Sequence, residues 1–136
     1  MKKVLIDINI ILDFLARREF HEIAAEIMTQ CFRGELAGHI GAFEVTTLSY
    51  FLERIYKDDG TVRNILSTVL DTCSIIPTDE KILRDSLLSP IDDYEDAVIE
   101  SSALRFGLDY IITRNTADFK QSRIPALPPE EFLLLD

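Results

Sequence analysis

Two hydrophobic periodicities alternate along this chain of 136 residues. Short runs of consecutive apolar residues, such as the run within 3–7, are typical of strands buried on both faces of a sheet. Longer segments carry apolar residues every three or four positions, as in 42–56, which is typical of helices that bury one face. The predicted strands are 3–7, 36–40, 73–76, 108–113 and 124–127. The predicted helices are 9–16, capped by Asn9, then 21–32, 42–56, 62–70, 78–87 and 94–106, with a short helix after Pro128 and Pro129.

The order of these elements predicts the fold class. Strands that alternate with helices form a parallel sheet, because each connection between parallel strands must cross over one face of the sheet. We therefore predict an α/β protein, built as a three-layer α/β/α sandwich around a central parallel sheet. No repeat, low-complexity tract or long linker interrupts the pattern, so residues 1–136 are expected to form a single domain.

An acidic cluster precedes the last long predicted helix. Asp92, Asp93, Glu95 and Asp96 place four carboxylates within five residues. Like charges this close repel one another, so such a cluster usually forms a solvated face or holds a cation. Asp93 is also a natural N-cap for the helix 94–106, and the helix dipole favours acids in the first turn. The cluster alone therefore does not distinguish a metal site from an ordinary helix start.

Other polar residues lie where predicted strands end. Asp7 follows the first predicted strand and Glu44 follows the second. Asn115 and Asp118 both follow the fourth. In open parallel sheets, ligands bind beyond the carboxyl ends of the strands, where the strand order reverses. Asp96 lies in the first turn of the helix that leads into the fourth strand, so one cleft could receive all these side chains. Carboxylate oxygens are the ligands that hard divalent cations prefer, and the arrangement predicts a metal site.

Charge and hydropathy narrow the functional classes. A formal net charge of −10 excludes a protein that coats nucleic acid through phosphate contacts. It does not exclude a nucleic-acid enzyme, because bound metal ions offset carboxylates locally. No apolar stretch approaches the ~18 residues that span a bilayer, and Asp7 and Asp13 interrupt the N-terminal apolar run, so no membrane association or signal peptide is expected. Cys31 and Cys73 lack metal-type spacing and are expected to be buried free thiols in a reducing cytoplasm.

Three segments of the chain resemble the PIN-domain family, small metal-dependent ribonucleases that are common as toxins of toxin–antitoxin pairs. They are VLIDINIILDFL, IGAFEVTTLSYFLER and DYEDAVIESSALRFGLDYIITRNTADF. The last segment is the most specific, since it joins an acidic helix start to a strand, the triplet TRN and an Asp-Phe pair. The resemblance implies a PIN-like, Rossmann-like α/β/α fold. It also implies Mg²⁺ or Mn²⁺ held by three or four acidic side chains, and hydrolysis of RNA phosphodiester bonds by a metal-activated water.

The resemblance assigns roles to individual residues. The implied metal ligands are Asp7, Asp96 and Asp118. The implied residues that support them are Asn9, Thr113, which matches a conserved hydroxyl, and Asn115, which stands where many members carry a further acid. The family's Glu on the middle helix falls on Thr47 in this chain. Glu44, three residues earlier on the same helical face, is expected to reach the cleft instead and to join the catalytic acids.

Basic residues beside the proposed site are expected to contact substrate phosphates. They are Arg114, Lys120 and Arg123. His21 and His39 lie in patterns without a plausible catalytic partner, and a metal-activated water requires no protein nucleophile.

Several other residues have simpler interpretations. Asp13 is expected to be an exposed helix residue, and Arg17 and Arg18 a solvated helix end. A partner surface could form from the apolar helix residues Phe14, Leu15, Tyr50 and Phe51, but burial in the core of the chain itself is the simpler expectation.

Two other functions remain open at the level of the sequence. The first is a catalytically weak or inactive PIN domain that binds RNA or protein, because Thr47 and Ile8 depart from the family pattern. The second is a phosphotransferase of the haloacid-dehalogenase type, whose signature begins with Asp-x-Asp after the first strand; Asn9 replaces the second Asp here. For the nuclease, the resemblance implies an RNA substrate, an antitoxin protein whose tail blocks the cleft, a homodimer and a cytoplasmic location.

Overall fold

A five-stranded parallel sheet lies at the centre of the computed structural model, which describes residues 1–135. Its strands are β1 (Lys3–Ile6), β2 (Ala37–Gly41), β3 (Ser74–Ile76), β4 (Tyr110–Ile112) and β5 (Ala126–Leu127). The helices are α1 (Ile8–Leu15), α2 (His21–Phe32), α3 (Ala42–Tyr56), α4 (Asp59–Thr72), α5 (Glu80–Ser86), α6 (Tyr94–Arg105) and α7 (Pro129–Phe132). A 3₁₀ turn, Thr116–Phe119, follows β4.

The strands lie in the order β3-β2-β1-β4-β5, and each neighbouring pair is parallel. β1 is central: Leu5 pairs with His39 of β2 on one side and with Ile111 of β4 on the other. The chain adds β2 and β3 in one direction from β1, and β4 and β5 in the other. The strand order therefore reverses between β1 and β4, which places the expected ligand site at the carboxyl ends of these two strands.

Alternate residues of β1 face opposite sides of the sheet, as the two-residue period of a strand requires. Val4 and Ile6 belong to a core with residues of α1 to α4, whereas Leu5 belongs to a second core with residues of α5 and α6. All three side chains are fully buried, and burial of a side chain of this size contributes roughly 1.5–3 kcal/mol. The predicted three-layer α/β/α sandwich is confirmed.

The predicted elements are all present, with ends that shift by at most three residues. The largest shift is at the start of α4, where Oδ2 of Asp58 accepts a hydrogen bond of 3.1 Å from the Thr61 N–H and caps the helix at Asp59. The prediction that Asn9 caps the first helix is wrong. Asp7 is the N-cap of α1, because its Oδ1 accepts a hydrogen bond of 3.0 Å from the Asn9 N–H.

Cys31 and Cys73 are buried free thiols, as predicted, and both lie beside Gly38 of β2. A Cβ atom at Gly38 would lie 2.6 Å from Sγ of Cys31 and 3.0 Å from Cδ1 of Ile6. The glycine therefore allows α2 to approach the sheet closely. Among residues 1–135, no helix is both long and apolar enough to cross a bilayer.

Replacement of Gly38 by alanine is expected to lower the free energy of unfolding by about 1–3 kcal/mol, because the added methyl group overpacks the core. The matched control is Gly60→Ala in α4, where the added Cβ approaches only the Asp58 carboxylate, at 3.8 Å. The control should leave stability unchanged or raise it by up to about 1 kcal/mol, since alanine favours helix more than glycine does. Urea denaturation measures both, and equal effects of the two substitutions would contradict the packing described for β2.

Candidate active site

Asp7 and Thr113 lie at the carboxyl ends of the two strands between which the strand order reverses. Both are buried. Oγ1 of Thr113 donates a hydrogen bond of 2.7 Å to Oδ2 of Asp7 and accepts one of 3.1 Å from the Asn115 N–H. Oδ1 of Asp7 accepts from the backbone and side-chain nitrogens of Asn9 at 3.0 and 3.4 Å. The Asp7 carboxylate is therefore held in one orientation from both sides.

Glu44 lies in the first turn of α3 and is 3% exposed. Its Oε1 accepts a long hydrogen bond of 3.4 Å from the Gly41 N–H. Burial, together with the negative charges of Asp7 and Glu95, raises the pKa of Glu44 to about 8, although the N–H groups of Gly41 and Ile8 oppose the shift. Glu44 is therefore a buried acid that faces the other carboxylates of the site and has no cationic partner among residues 1–135.

Asp96 lies in the first turn of α6, three residues after the N-cap residue Asp93. The predicted cap is confirmed: Oδ1 of Asp93 accepts a hydrogen bond of 3.1 Å from the Asp96 N–H. Partial burial raises the pKa of Asp96 to about 6, and the charges of Asp93, Asp118 and Asp7 add to the effect. Asp96 therefore experiences the field of acids from its own helix start and from two other parts of the chain, the end of β1 and the 3₁₀ turn.

These acids line a cleft of about 630 Å³. Its polar lining consists of Asp7, Asn9, Glu44, Thr46, Thr47, Glu95, Asp96 and Asn115. The rest of the lining is apolar or aromatic and consists of Ile8, Phe43, Tyr50, Phe51 and Ile99. Asp118 lies on the exposed 3₁₀ turn beside the cleft, close enough for its charge to act on Asp96.

Thr47 is on the cleft wall, but its hydroxyl donates back to the Phe43 carbonyl of its own helix, at 3.5 Å. The position where the family has a Glu thus offers no carboxylate. Glu44, one helical turn earlier, lines the same cleft in its place.

A divalent cation fits the chemistry of this donor set. Every donor is a hard oxygen, and the raised pKa values of Glu44 and Asp96 are those of carboxylates that lack a countercharge. No three His, Cys, Asp or Glu side chains in the described part of the chain are close enough together to hold one metal ion between them. Mg²⁺ requires less than this, because it retains several waters and binds proteins through one or two carboxylates.

The predicted phosphate-binding residues do not converge on the cleft. Nε and Nη2 of Arg114 lie 2.8 and 3.0 Å from the carboxylate oxygens of Asp13, and the Phe20 ring covers the guanidinium at 4.7 Å. Nη2 of Arg123 lies 2.7 Å from Oε1 of Glu100. Lys120 is exposed at the end of the 3₁₀ turn, and none of the three lines the acidic cleft.

The expectation that Asp13 is exposed is wrong, since its side chain is completely buried. An acid in this position needs a cation, and both Arg114 and the more distant Arg18, at 3.9 Å, supply one. The desolvation of Asp13 nevertheless outweighs these cations and raises its pKa. The sequence signal for this burial was an Asp directly after the consecutive apolar residues 10–12. The expectation that Tyr50 and Phe51 are buried is also wrong, because they are 55% and 37% exposed.

The raised pKa values make the stability of the metal-free protein depend on pH. Glu44 loses its proton near pH 4.5 when unfolded but near pH 8 when folded, so between these values the folded state binds more protons. The melting temperature should therefore fall as the pH rises from 5 to 8. Glu44→Gln should remove most of the decrease in melting temperature above pH 6. Thermal unfolding with a chelator present measures this, with Glu53→Gln on the exposed side of α3 as the control. A Glu44→Gln profile that parallels the wild-type profile would contradict the burial of an ionisable acid at this position.

Comparison with known proteins supports the resemblance seen in the sequence. The family model described as "PIN domain" matches residues 3–117. A search of curated protein sequences finds no significant match.

Solved structures share the fold at low sequence identity. The FitAB complex bound to an IR36 DNA fragment gives a TM-score of 0.71 at 16% identity, over 93% of this chain and 94% of the solved one. FitAcB from Neisseria gonorrhoeae gives 0.67 at 20% identity, over 93% and 98%. VapBC2 from Rickettsia felis, bound to a DNA fragment from its promoter, gives 0.67 at 16% identity, over 91% and 96%.

The region that the family model matches begins with β1 and extends into the turn after β4. It therefore includes the strand reversal and the four acids that line the cleft, Asp7 after β1, Glu44 in α3, and Glu95 and Asp96 in α6. This chain belongs to the PIN-domain family.

Proposed function

We propose that this protein is a metal-dependent endoribonuclease and the toxin of a toxin–antitoxin pair. PIN domains are in general metal-dependent nucleases. The observation that carries the proposal is the convergence of Asp7, Glu44 and Asp96 on one cleft at the strand reversal, which no cationic side chain of residues 1–135 lines. Such an arrangement costs folding free energy, and a bound cation offsets that cost.

In the proposed mechanism, Asp7 and Asp96 would hold the metal ion and waters would complete its shell. Asp118, the third predicted ligand, lies beside the cleft and would reach the ion through one of these waters, and Glu44 would complete the acidic set. Bound there, Mg²⁺ or Mn²⁺ supplies an activated water and stabilises charge on the leaving oxygen. Thr113 and Asn9 fix the direction of the Asp7 carboxylate by hydrogen bonds. In this proposal, Asn115 is the amide at the edge of the cleft that is available to the substrate phosphate.

The histidines are engaged elsewhere, which favours a water nucleophile. His21 stacks on Phe14, with 5.8 Å between ring centroids. Nδ1 of His39 lies 3.0 Å from the Ala37 carbonyl and 3.2 Å from the Val4 carbonyl. Neither side chain lines the acidic cleft, so proton transfer there falls to the carboxylates and water.

The toxin proposal includes an antitoxin protein as partner. The structural neighbours are toxin–antitoxin complexes. On this chain, an apolar groove of about 290 Å³ runs between α1, α2 and α4, and Phe32 at its edge is 80% exposed. An exposed phenylalanine beside a preformed apolar groove is the kind of surface that a partner helix covers. We propose that the antitoxin binds this groove.

Asp96→Asn tests the catalytic proposal. We expect the wild-type protein to cleave RNA with Mg²⁺ or Mn²⁺, and Asp96→Asn to reduce the rate at least about 100-fold. Removal of a residue that only supports a metal ligand lowers activity by about 10- to 100-fold, and removal of the ligand itself should cost more. Asp92→Asn, in the same acidic cluster but outside the cleft, is the control and should retain activity. Gel analysis of labelled RNA with and without chelator provides the measurement.

Three outcomes would contradict parts of the proposal. Equal rates for wild type and Asp96→Asn would exclude the catalytic site and favour a binding module with an inactive cleft, in line with Thr47. Acid-stable phosphorylation of Asp7 with phosphatase turnover would favour the haloacid-dehalogenase alternative. If the wild-type protein and Phe32→Asp both cleave RNA but neither arrests the growth of bacteria that express it, the nuclease function stands and the toxin function is excluded.

A further inference from the structure

One face of α3 connects the acidic cleft to solvent. Phe43, Thr47, Tyr50 and Arg54 are spaced by three and four residues, so they follow one another along the helix, with Phe51 beside Tyr50. Phe43 and the two other aromatic residues line the cleft. The exposed fractions of Tyr50 and Phe51, 55% and 37%, are large for aromatic side chains at the wall of a cleft.

The two exposed rings form an ordered unit with Arg54. The Tyr50 and Phe51 rings meet edge to face, with centroids 5.7 Å apart and an interplanar angle of 73°. The guanidinium of Arg54 lies 5.7 Å from the Tyr50 ring centroid, and its Nη1 donates a hydrogen bond of 3.1 Å to the Tyr50 hydroxyl. We call these three residues the aromatic platform.

Arg54 differs from the arginines near the site in its charge balance. Arg114 and Arg123 are each neutralised by a buried acid, Asp13 and Glu100. Arg54 forms no ion pair with any acid of residues 1–135. Its positive charge is therefore available near the cleft. An RNA strand with one phosphate bound at the acids would pass this charge on its way into solvent.

An acidic nuclease needs binding energy that does not come from phosphate contacts alone. With a net charge of −10, this chain repels a polyanion at long range. Stacking of a base on an aromatic ring contributes attraction that does not depend on charge, and every base has a face that can stack. Such faces are available only where the strand is unpaired, because a duplex keeps them stacked on one another.

We propose that the aromatic platform binds an unpaired nucleotide next to the scissile phosphate. The base stacks on the Tyr50 ring, which the Phe51 ring supports edge to face, and Arg54 contacts the adjoining phosphate. The proposal rests on the nuclease function proposed above and adds the residues that hold the nucleotide beside the scissile phosphate.

Binding of fluorescent single-stranded RNA in the cleavage-deficient Asp96→Asn background tests the platform. Fluorescence anisotropy at constant Mg²⁺ should show that Tyr50→Ala raises Kd about 5- to 150-fold, the range given by the loss of one stacked base, and that Phe51→Ala raises it by a smaller factor. Tyr50→Phe, which keeps the ring, should stay within about twofold of its parent. Ile55→Ala is the matched control, since Ile55 is an exposed apolar residue of α3 outside the cleft.

An abasic substitution in the RNA identifies the stacking contact itself. At the stacked position, the abasic site should weaken binding to the Tyr50-containing protein, and Tyr50→Ala should cause little further loss, because both changes remove the same contact. Additive losses at every position of the RNA would overturn the stacking assignment. Duplex RNA should show no response to Tyr50→Ala, because its bases are stacked on one another. A duplex whose binding falls as much as that of the single strand on Tyr50→Ala would overturn the stacking assignment.

The outcomes separate this inference from the nuclease proposal. If wild type fails to cleave RNA but the single strand still binds through Tyr50, the nuclease proposal fails and the platform is supported. If Asp96→Asn abolishes cleavage but Tyr50→Ala leaves Kd unchanged, the platform fails and the nuclease stands. Exposed rings can also form an interface between two copies of the chain, and sedimentation of the same variants tests this. If Tyr50→Ala converts a dimer to a monomer and leaves Kd unchanged, the rings belong to that interface and the inference is overturned.

Discussion

The buried hydrogen bond from Thr113 to Asp7 joins the carboxyl ends of the two strands on which the site depends. At 2.7 Å it connects the end of β1 to the end of β4, where the strand order reverses. The same Asp7 carboxylate caps α1. The same Thr113 hydroxyl accepts a hydrogen bond from the Asn115 N–H at the start of the following turn. One short polar contact thus aligns a helix start, two strand ends and a loop. Both side chains are buried, and Asp7 also lines the cleft.

Buried and half-buried acids in this protein differ in whether a cation is paired with them. Asp13 and Glu100 are completely buried, and each is paired with arginine. Burial opposes ionisation of Glu100, but the hydrogen bonds from Arg123 and Ser89 hold its pKa below the usual range. Glu44 and Asp96 have no such partner among residues 1–135, and their pKa values are raised. Acids without a cationic partner are thus concentrated beside one cleft, and such a concentration indicates a functional site. Their oxygen donors fit a metal site.

Much of this could be predicted from the sequence because it depends on local pattern and order. Alternation of strands and helices predicted the parallel sheet. Positions after strand ends placed Asp7 and Glu44 at the cleft, and the start of the helix that leads into the fourth strand placed Asp96 there. The partners of Arg114 and Arg123 could not be predicted in the same way. They depend on contacts across 101 and 23 residues of chain, and an acid on a helix has the same local pattern whether a distant arginine buries it or water surrounds it. The exposure of Tyr50 and Phe51 was missed for a related reason: helical spacing identifies a continuous face but not what covers it.

We propose that the acids at the strand reversal hold a divalent cation. Anomalous X-ray diffraction from crystals of the protein soaked in Mn²⁺ tests this directly. We expect an anomalous peak within coordination distance of the carboxylates of Asp7 and Asp96, and its loss from crystals of Asp7→Asn. Manganese bound only at the exposed acids Asp92 and Asp93, with no peak in the cleft, would contradict it.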